Sequence, residues 1–247
     1  MASSKMAIMT PEFLEAIASQ RDLPKYTWYF IASTVLCVLN RPQEIQRVYL
    51  YAIEHASNEE QLHVSRRMRD ALIKTAAVGG MPKTINAMME LATVTPDDLV
   101  DAPIGFSPAS RSGDLCYTSS AQILQRGQSF FNRIYGKVAT RVMGQMDRCG
   151  TPDLSLTAQL AYGYVLSNTD ILNSAETSFV MIAGLIPQDV NPQLKGHLKG
   201  ALNGGATVAE VMAVRHVAIE ICKAADMVML NDDDVGSWGW RSAVSGL

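Results

Sequence analysis

The stretch that most limits how this chain can fold is Asn191-Pro192-Gln193-Leu194-Lys195-Gly196-His197-Leu198-Lys199-Gly200-Ala201-Leu202-Asn203-Gly204-Gly205-Ala206-Thr207. Pro192 suits a first helical turn, where its missing N–H has no intrahelical partner to lose. Gly204 and Gly205 supply the left-handed geometry that closes a helix. Leu194, Leu198, Ala201 and Leu202 form an apolar helical stripe between these signals. His197 lies within that stripe, while Lys195 and Lys199 point elsewhere. The helix therefore turns one imidazole inward, flanked by Gly196 and Gly200, which permit a neighbour to come close. Thr207 followed by Glu210 is a capping-box pattern. It opens a second helix from about Val208 to Met229, apolar along Val211, Val214, Ala218, Ile221 and Cys222. A histidine on such a face is either a packed core residue or a functional one.

The run from about Glu176 to Leu230 resembles the carboxymuconolactone decarboxylase and alkylhydroperoxidase D superfamily. The resemblance rests on the apolar helix Thr177–Leu185, the Pro-Gln-Leu-Lys-Gly-His-Leu-Lys-Gly-Ala-Leu segment, the Asn-Gly-Gly-Ala-Thr turn and the helix after it. It covers about a quarter of the chain. It implies an all-α, AhpD-like helical bundle that assembles as a homo-oligomer, a dimer or a trimer.

An internal repeat extends this reading to the first half. Arg41–Ile53 mirrors the opening stretch, with Pro42-Gln43 at its start, Ile45 matching Leu194 and Ala52-Ile53 matching Ala201-Leu202. An apolar helix precedes each segment (Tyr26–Asn40 and Thr177–Leu185) and a long helix follows (Ser65–Val78 and Val208–Ile221). The first copy carries about seven extra residues in its turn region, Ser57–Arg69. Val48 stands where the second copy has His197. Two pseudo-repeated modules are therefore expected: 1–95, degenerate and without the histidine; a linker loop at 96–120, rich in Pro, Gly, Ser and Asp; and 121–247, carrying His197. Within them we expect a short helix from Thr10-Pro11 that Pro24 breaks, and a helix Lys83–Thr93 buried through Ile85, Met88, Met89 and Ala92. Further helices are expected at Ser120–Tyr135, at Lys137–Arg148 with Val138, Val142 and Met146 inward, and from Thr151-Pro152-Asp153 through Tyr164 and Leu166.

The sequence excludes several function classes. A net charge of −3 with no basic run interleaved with aromatics gives no reason to expect nucleic acid. The most apolar window, Tyr26 to Leu39, is too short to cross a bilayer, so no membrane partner is expected. Cys37, Cys116, Cys149 and Cys222 are scattered, without metal or disulfide spacing. The N-terminus lacks a signal-peptide pattern. The closing Ser245-Gly246-Leu247 echoes a peroxisomal address without its basic middle residue, so a cytoplasmic protein is expected. Asp232, Asp233 and Asp234 lack the alternating ligands and the glycine of a calcium loop, so no metal is expected. No phosphate loop or dinucleotide fingerprint is present, so no cofactor is expected. Trp238, Trp240 and Arg241 suggest a tail docked by aromatic burial.

Two kinds of chemistry follow from the resemblance. Its peroxidase branch needs cysteines four and seven residues before the histidine, where this chain has Gln193 and Val190, so thiol peroxidase activity is disfavoured. What remains is cofactor-free acid–base work on a small carboxylate, such as decarboxylation of a lactone acid. Loss of CO2 leaves electron density that must be delocalised and then protonated. A histidine titrating near neutrality can supply that proton. His197 is the candidate acid or base, with Tyr135 and Tyr162 beside it and Glu176 to orient its ring. Arg126, Arg133 and Asn203 are candidates for holding the substrate. His55, His63 and His216 match no pattern, and His216 reads as packed or snorkelling. The decarboxylase itself usually has an acidic residue where Gln193 stands and is a shorter chain. This sequence thus reads as a divergent, double-length relative, similar to fungal members. A non-catalytic helical scaffold is the alternative.

Overall fold

A computed structural model describes residues 7–101 and 111–227, and every regular element among them is helical. The N-terminal elements are α1 (Pro11–Ala18), α2 (Trp28–Val38), α3 (Pro42–Glu54), α4 (Asn58–Gly79) and α5 (Met81–Val94). A short α6 (Ser112–Tyr117) lies inside the expected linker and is followed by α7 (Ser120–Tyr135) and α8 (Ala139–Asp147). Next comes α9 (Asp153–Leu160), which runs on into a π-helical turn (Ala161–Leu166). The chain then forms α10 (Ser174–Leu185), α11 (Asn191–Asn203) and α12 (Val208–Ala224).

Caps set most of the helix starts. Thr10 accepts from the Phe13 N–H at the head of α1, and Pro11 supplies the preset first turn. Capping boxes open α7 (Ser119 and Gln122), α10 (Asn173 and Glu176) and α12 (Thr207 and Glu210). The same device opens α4, where Glu60 accepts from the Ser57 N–H at 3.0 Å. Residues expected to form a turn at 57–69 are therefore the first turns of one continuous helix. The segments from Pro42 to the Ser57 cap and from Pro192 to the Thr207 cap are equally long, so the roughly seven extra residues expected before the long helix are not found there.

The two most apolar helices, α2 and α10, form the centre, and almost every side chain on them is buried. They touch each other. Helix α2 also packs on α4 and α12, and α10 packs on the same two. Gly184 makes the centre close, because a Cβ there would lie 2.7 Å from Val78 Cγ2 and 3.7 Å from Thr34 Cγ2. In the outer layer α5 covers α3, while α7 covers α11.

Some expected faces differ. On α5 the buried side chains are Thr84, Ala87 and Leu91, whereas Ile85 and Met89 face outward. Thr84, Ala87 and Leu91 form the inward side of α5, with Met88 partly buried beside them, which leaves Ile85 and Met89 on the outer side. Val138 is exposed and Ala139 is buried in its place. His216 is exposed, while its neighbour Arg215 is buried. The expected aspartate turn at Asn231–Asp234, the tail with Trp238, Trp240 and Arg241, and the final triplet lie outside the described residues.

Candidate active site

Three elements meet at His197. Helix α11 presents it from a face whose small residues admit α7. A Cβ at Gly196 would stand 2.8 Å from Tyr135 Cε1, and one at Gly200 would stand 2.5 Å from Ile134 Cγ2. Tyr135, in the last turn of α7, is thereby held beside the imidazole, with ring centroids 5.9 Å apart. The third element is the π-helical turn that carries Tyr162. It lies against α7 at a glycine pair, since a Cβ on Gly127 would meet Gly163 Cα and N at 2.6 Å. Single π-helical turns recur at functional sites. Here the turn carries the Tyr162 phenol.

The polar atoms form a chain. The Tyr162 hydroxyl lies 3.4 Å from His197 Nε2 and 3.4 Å from the Tyr135 hydroxyl. Both separations are long for hydrogen bonds, so each link is weak as it stands. The chain has two polarities. With the Tyr162 proton donated to Tyr135, Nε2 carries hydrogen and donates to Tyr162. Reversed, Tyr135 donates to Tyr162, which donates to Nε2, and Nδ1 is protonated. In either state Nδ1 is buried without a hydrogen-bond partner.

Aromatic packing sets the electrostatics. Phe131 lies 4.3 Å from the Tyr135 ring and 4.9 Å from the Tyr162 ring, centroid to centroid. His197 is 4% exposed, and burial pushes its pKa down to about 4. The imidazole is therefore neutral at physiological pH, not poised near neutrality as the family chemistry suggested. Burial also raises both phenols, Tyr162 most strongly, so they keep their protons.

Of the residues singled out in the sequence, His197, Tyr135 and Tyr162 come together, and the other four are committed elsewhere. Glu176 does not orient the imidazole: it accepts from the Asn173 N–H at 2.9 Å and pairs with Arg67 at 2.5 Å. Arg126 clamps the π-helical turn, donating to Gly163 O (3.1 Å) and Ser167 Oγ (2.9 Å) while paired with Asp114. Arg133 donates to the Ser174 hydroxyl at the start of α10. Asn203 donates to Ile134 O at 2.8 Å, capping the end of α7. Arg126 and Asn203 thus hold the elements that carry Tyr162 and Tyr135.

A buried ionic cluster between α4 and the second half was not anticipated. Lys74 Nζ donates to Thr177 Oγ1 (2.8 Å) and Leu172 O (3.3 Å), and lies 3.0 Å from Asp70 Oδ2. Arg111 donates to Asp70 Oδ1 at 2.6 Å and to Val165 O in the π-helical turn at 3.1 Å. Arg67 donates to Tyr26 O and lies over the Phe30 ring. The available signal was Arg67, Asp70 and Lys74 falling on the same helical face as Ala71 and Met68.

Fold and site together define an all-helical protein with a buried histidine–tyrosine chain. No family model matches the sequence. The chain belongs to the Peroxisomal protein 2 family. It is 35% identical over 204 residues to Peroxisomal protein 2 of Schizosaccharomyces pombe, covering 83% of this chain and 89% of the relative. It is 31% identical, over a 249-residue alignment, to Peroxisomal protein 2 of Saccharomyces cerevisiae, covering 80% and 88% respectively.

Proposed function

We propose that this chain is a peroxisomal, cofactor-independent acid–base enzyme of the lyase type. Its substrate class is a carboxylated or enolisable lactone or ring compound. The observation that carries this reading is the His197–Tyr162–Tyr135 chain: two phenols that keep their protons, and a neutral imidazole with one nitrogen unpartnered. In such a reaction the bond to the carboxylate breaks, CO2 departs, and its electron pair passes into an enolate. A phenol beside the nascent oxygen stabilises that charge in a dry site. The carbon then takes a proton from the chain, which solvent restores. The AhpD-like resemblance of Glu176–Leu230 supports this chemistry. The reciprocal packing of α2 and α10 on α4 and α12 supports the two-module reading. That reading carries a homo-oligomer with it.

The test is CO2 release from a panel of γ-carboxylactones and β-keto acids. Tyr162→Phe and His197→Gln should each lower turnover about 100-fold or more while the helical signal is kept. If the wild type releases nothing above buffer across the panel, the lyase reading fails. A second reading, a non-catalytic scaffold, is favoured by the burial of His197 and by the buried Val48 at the matched position. On that reading His197→Gln changes thermal stability alone.

Peroxisomal residence is supported by the names of both relatives. It replaces the cytoplasmic expectation. A fluorescent fusion should co-distribute with a peroxisomal matrix marker; an even cytosolic signal would refute it.

A further inference from the structure

The first half contains a cleft that the His197 chemistry does not use. It has a volume of about 380 Å³, near the lower end of small-ligand sites, which suits a compact compound of one or two rings. Ala52, Val64 and Tyr29 close its floor, and Tyr26, Trp28 and Tyr51 wall it. Trp28 and Tyr51 meet edge to face at 5.8 Å, and His55 stacks on Tyr51 at 4.1 Å. On the register that matches Val48 to His197, Arg47 and Tyr51 of α3 take the places of Gly196 and Gly200 of α11. Those glycines are where α7 packs in the second half. In the first half the corresponding ground is a ring-lined opening.

The backbone of this cleft is strained. Tyr26 has φ +64°, an uncommon conformation for a bulky residue. Three bonds hold it there: its carbonyl accepts from Arg67 Nε and Nη2 at 3.2 Å each, and its hydroxyl donates to Glu60. Strain over-determined in this way collects at ligand clamps.

We propose that this cleft binds a planar ring compound bearing a carboxylate, at a site separate from His197. Its lining has donors to spare and few free acceptors. Glu60 is committed to Tyr26 on one oxygen and to the Ser57 N–H and hydroxyl on the other. Lys25 reaches over the Tyr26 ring at 4.4 Å, drawn by the Tyr26 side chain and, more weakly, by Glu60, and forms no salt bridge among the described residues. His55 bonds Tyr51 O through Nδ1, which leaves Nε2 for a ligand. Burial, with Glu15 and Glu54 adding to it, raises the Tyr51 pKa, so its phenol keeps its proton. The ring lies against Tyr51 and Trp28, and the carboxylate faces Lys25.

The test is a titration of the full chain with benzoate, followed by amide and indole NMR shifts. Benzoate should shift the Trp28 indole and the Lys25 and Tyr26 amides with a low-millimolar Kd. Exposed Lys25→Glu should weaken binding about tenfold, as loss of a charge-assisted hydrogen bond does. His197→Gln should leave it unchanged, so the result stands or falls separately from the lyase reading. The proposal is overturned if those signals do not move up to about 20 mM benzoate, a range in which sites this weak still show binding. It is equally overturned if the shifts gather at Tyr135 and Tyr162, or if benzylammonium binds as well as benzoate.

Discussion

Asp70→Ala is expected to cost about 3–5 kcal/mol of folding stability, the range for removing one partner of a buried ion pair. Asp70 and Lys74 are both 0% exposed, and Asp70 answers two cations. Arg111 donates to Oδ1, and Lys74 stands at ion-pair distance from Oδ2, although its angle there is outside hydrogen-bond geometry. Removing the carboxylate strands both cations. Lys74→Met leaves the Asp70–Arg111 pair in place and should cost less. The pH dependence supplies a second check. Burial lowers the Lys74 pKa to about 8, with Asp70 opposing that drop. Between about pH 8 and the unfolded value of about 10.4 the unfolded chain binds a proton that the folded chain does not, so stability rises with pH in that window. Without Asp70 the folded pKa falls further. The variant's deficit should therefore be larger at pH 7 than at pH 10, where the lysine is mostly neutral in the folded state. Urea unfolding at both pH values measures this, and a deficit below about 1 kcal/mol at pH 7 would show that the cluster does not tie α4 to the second half.

That cluster also shows where sequence reading stops. Local signals were legible: Thr10-Pro11, Ser119 with Gln122, and Thr207 with Glu210 each start a helix, because a cap is specified by residues three apart. The glycines of α11 announced a close neighbour, and Tyr135 was found at that contact. The Ser57–Glu60 cap was equally present but was masked by the polar residues around it, so α4 was started too late. Partnerships across the fold were not legible. Arg126 and Glu176 looked available for substrate or imidazole, yet their partners Gly163, Asp114 and Arg67 lie on other elements, and nothing local encodes those pairings. Similarly, Ile85 and Met89 have the spacing of a core stripe, but the buried side of α5 is the one with Thr84, Ala87 and Leu91. The π-helical turn was read as ordinary helix, although its neighbour Gly127 marks the close contact that accommodates it.

Between pH 6.5 and pH 4 the wild type is expected to lose up to about 3 kcal/mol of stability that His197→Gln does not lose. The imidazole has a folded pKa of about 4, set by burial, against about 6.5 when unfolded. In that window the unfolded chain takes up a proton that the folded chain refuses, so stability rises with pH and falls as acid is added. His63 is also lowered by burial, but it is present in both proteins and cancels in the difference. The same depressed pKa gives the lyase reading a signature. If neutral His197 serves in turnover, the rate should stay level from pH 8 to about pH 5 and fall only as pH 4 is approached, provided the chain remains folded. A rate that falls with a midpoint near 6.5 would mean that a solvated group controls it, and His197 would lose its place in the reaction. A level rate together with a stability difference would mean that the imidazole is both buried and used. The cost of keeping it neutral in the core would then be the cost of the site itself.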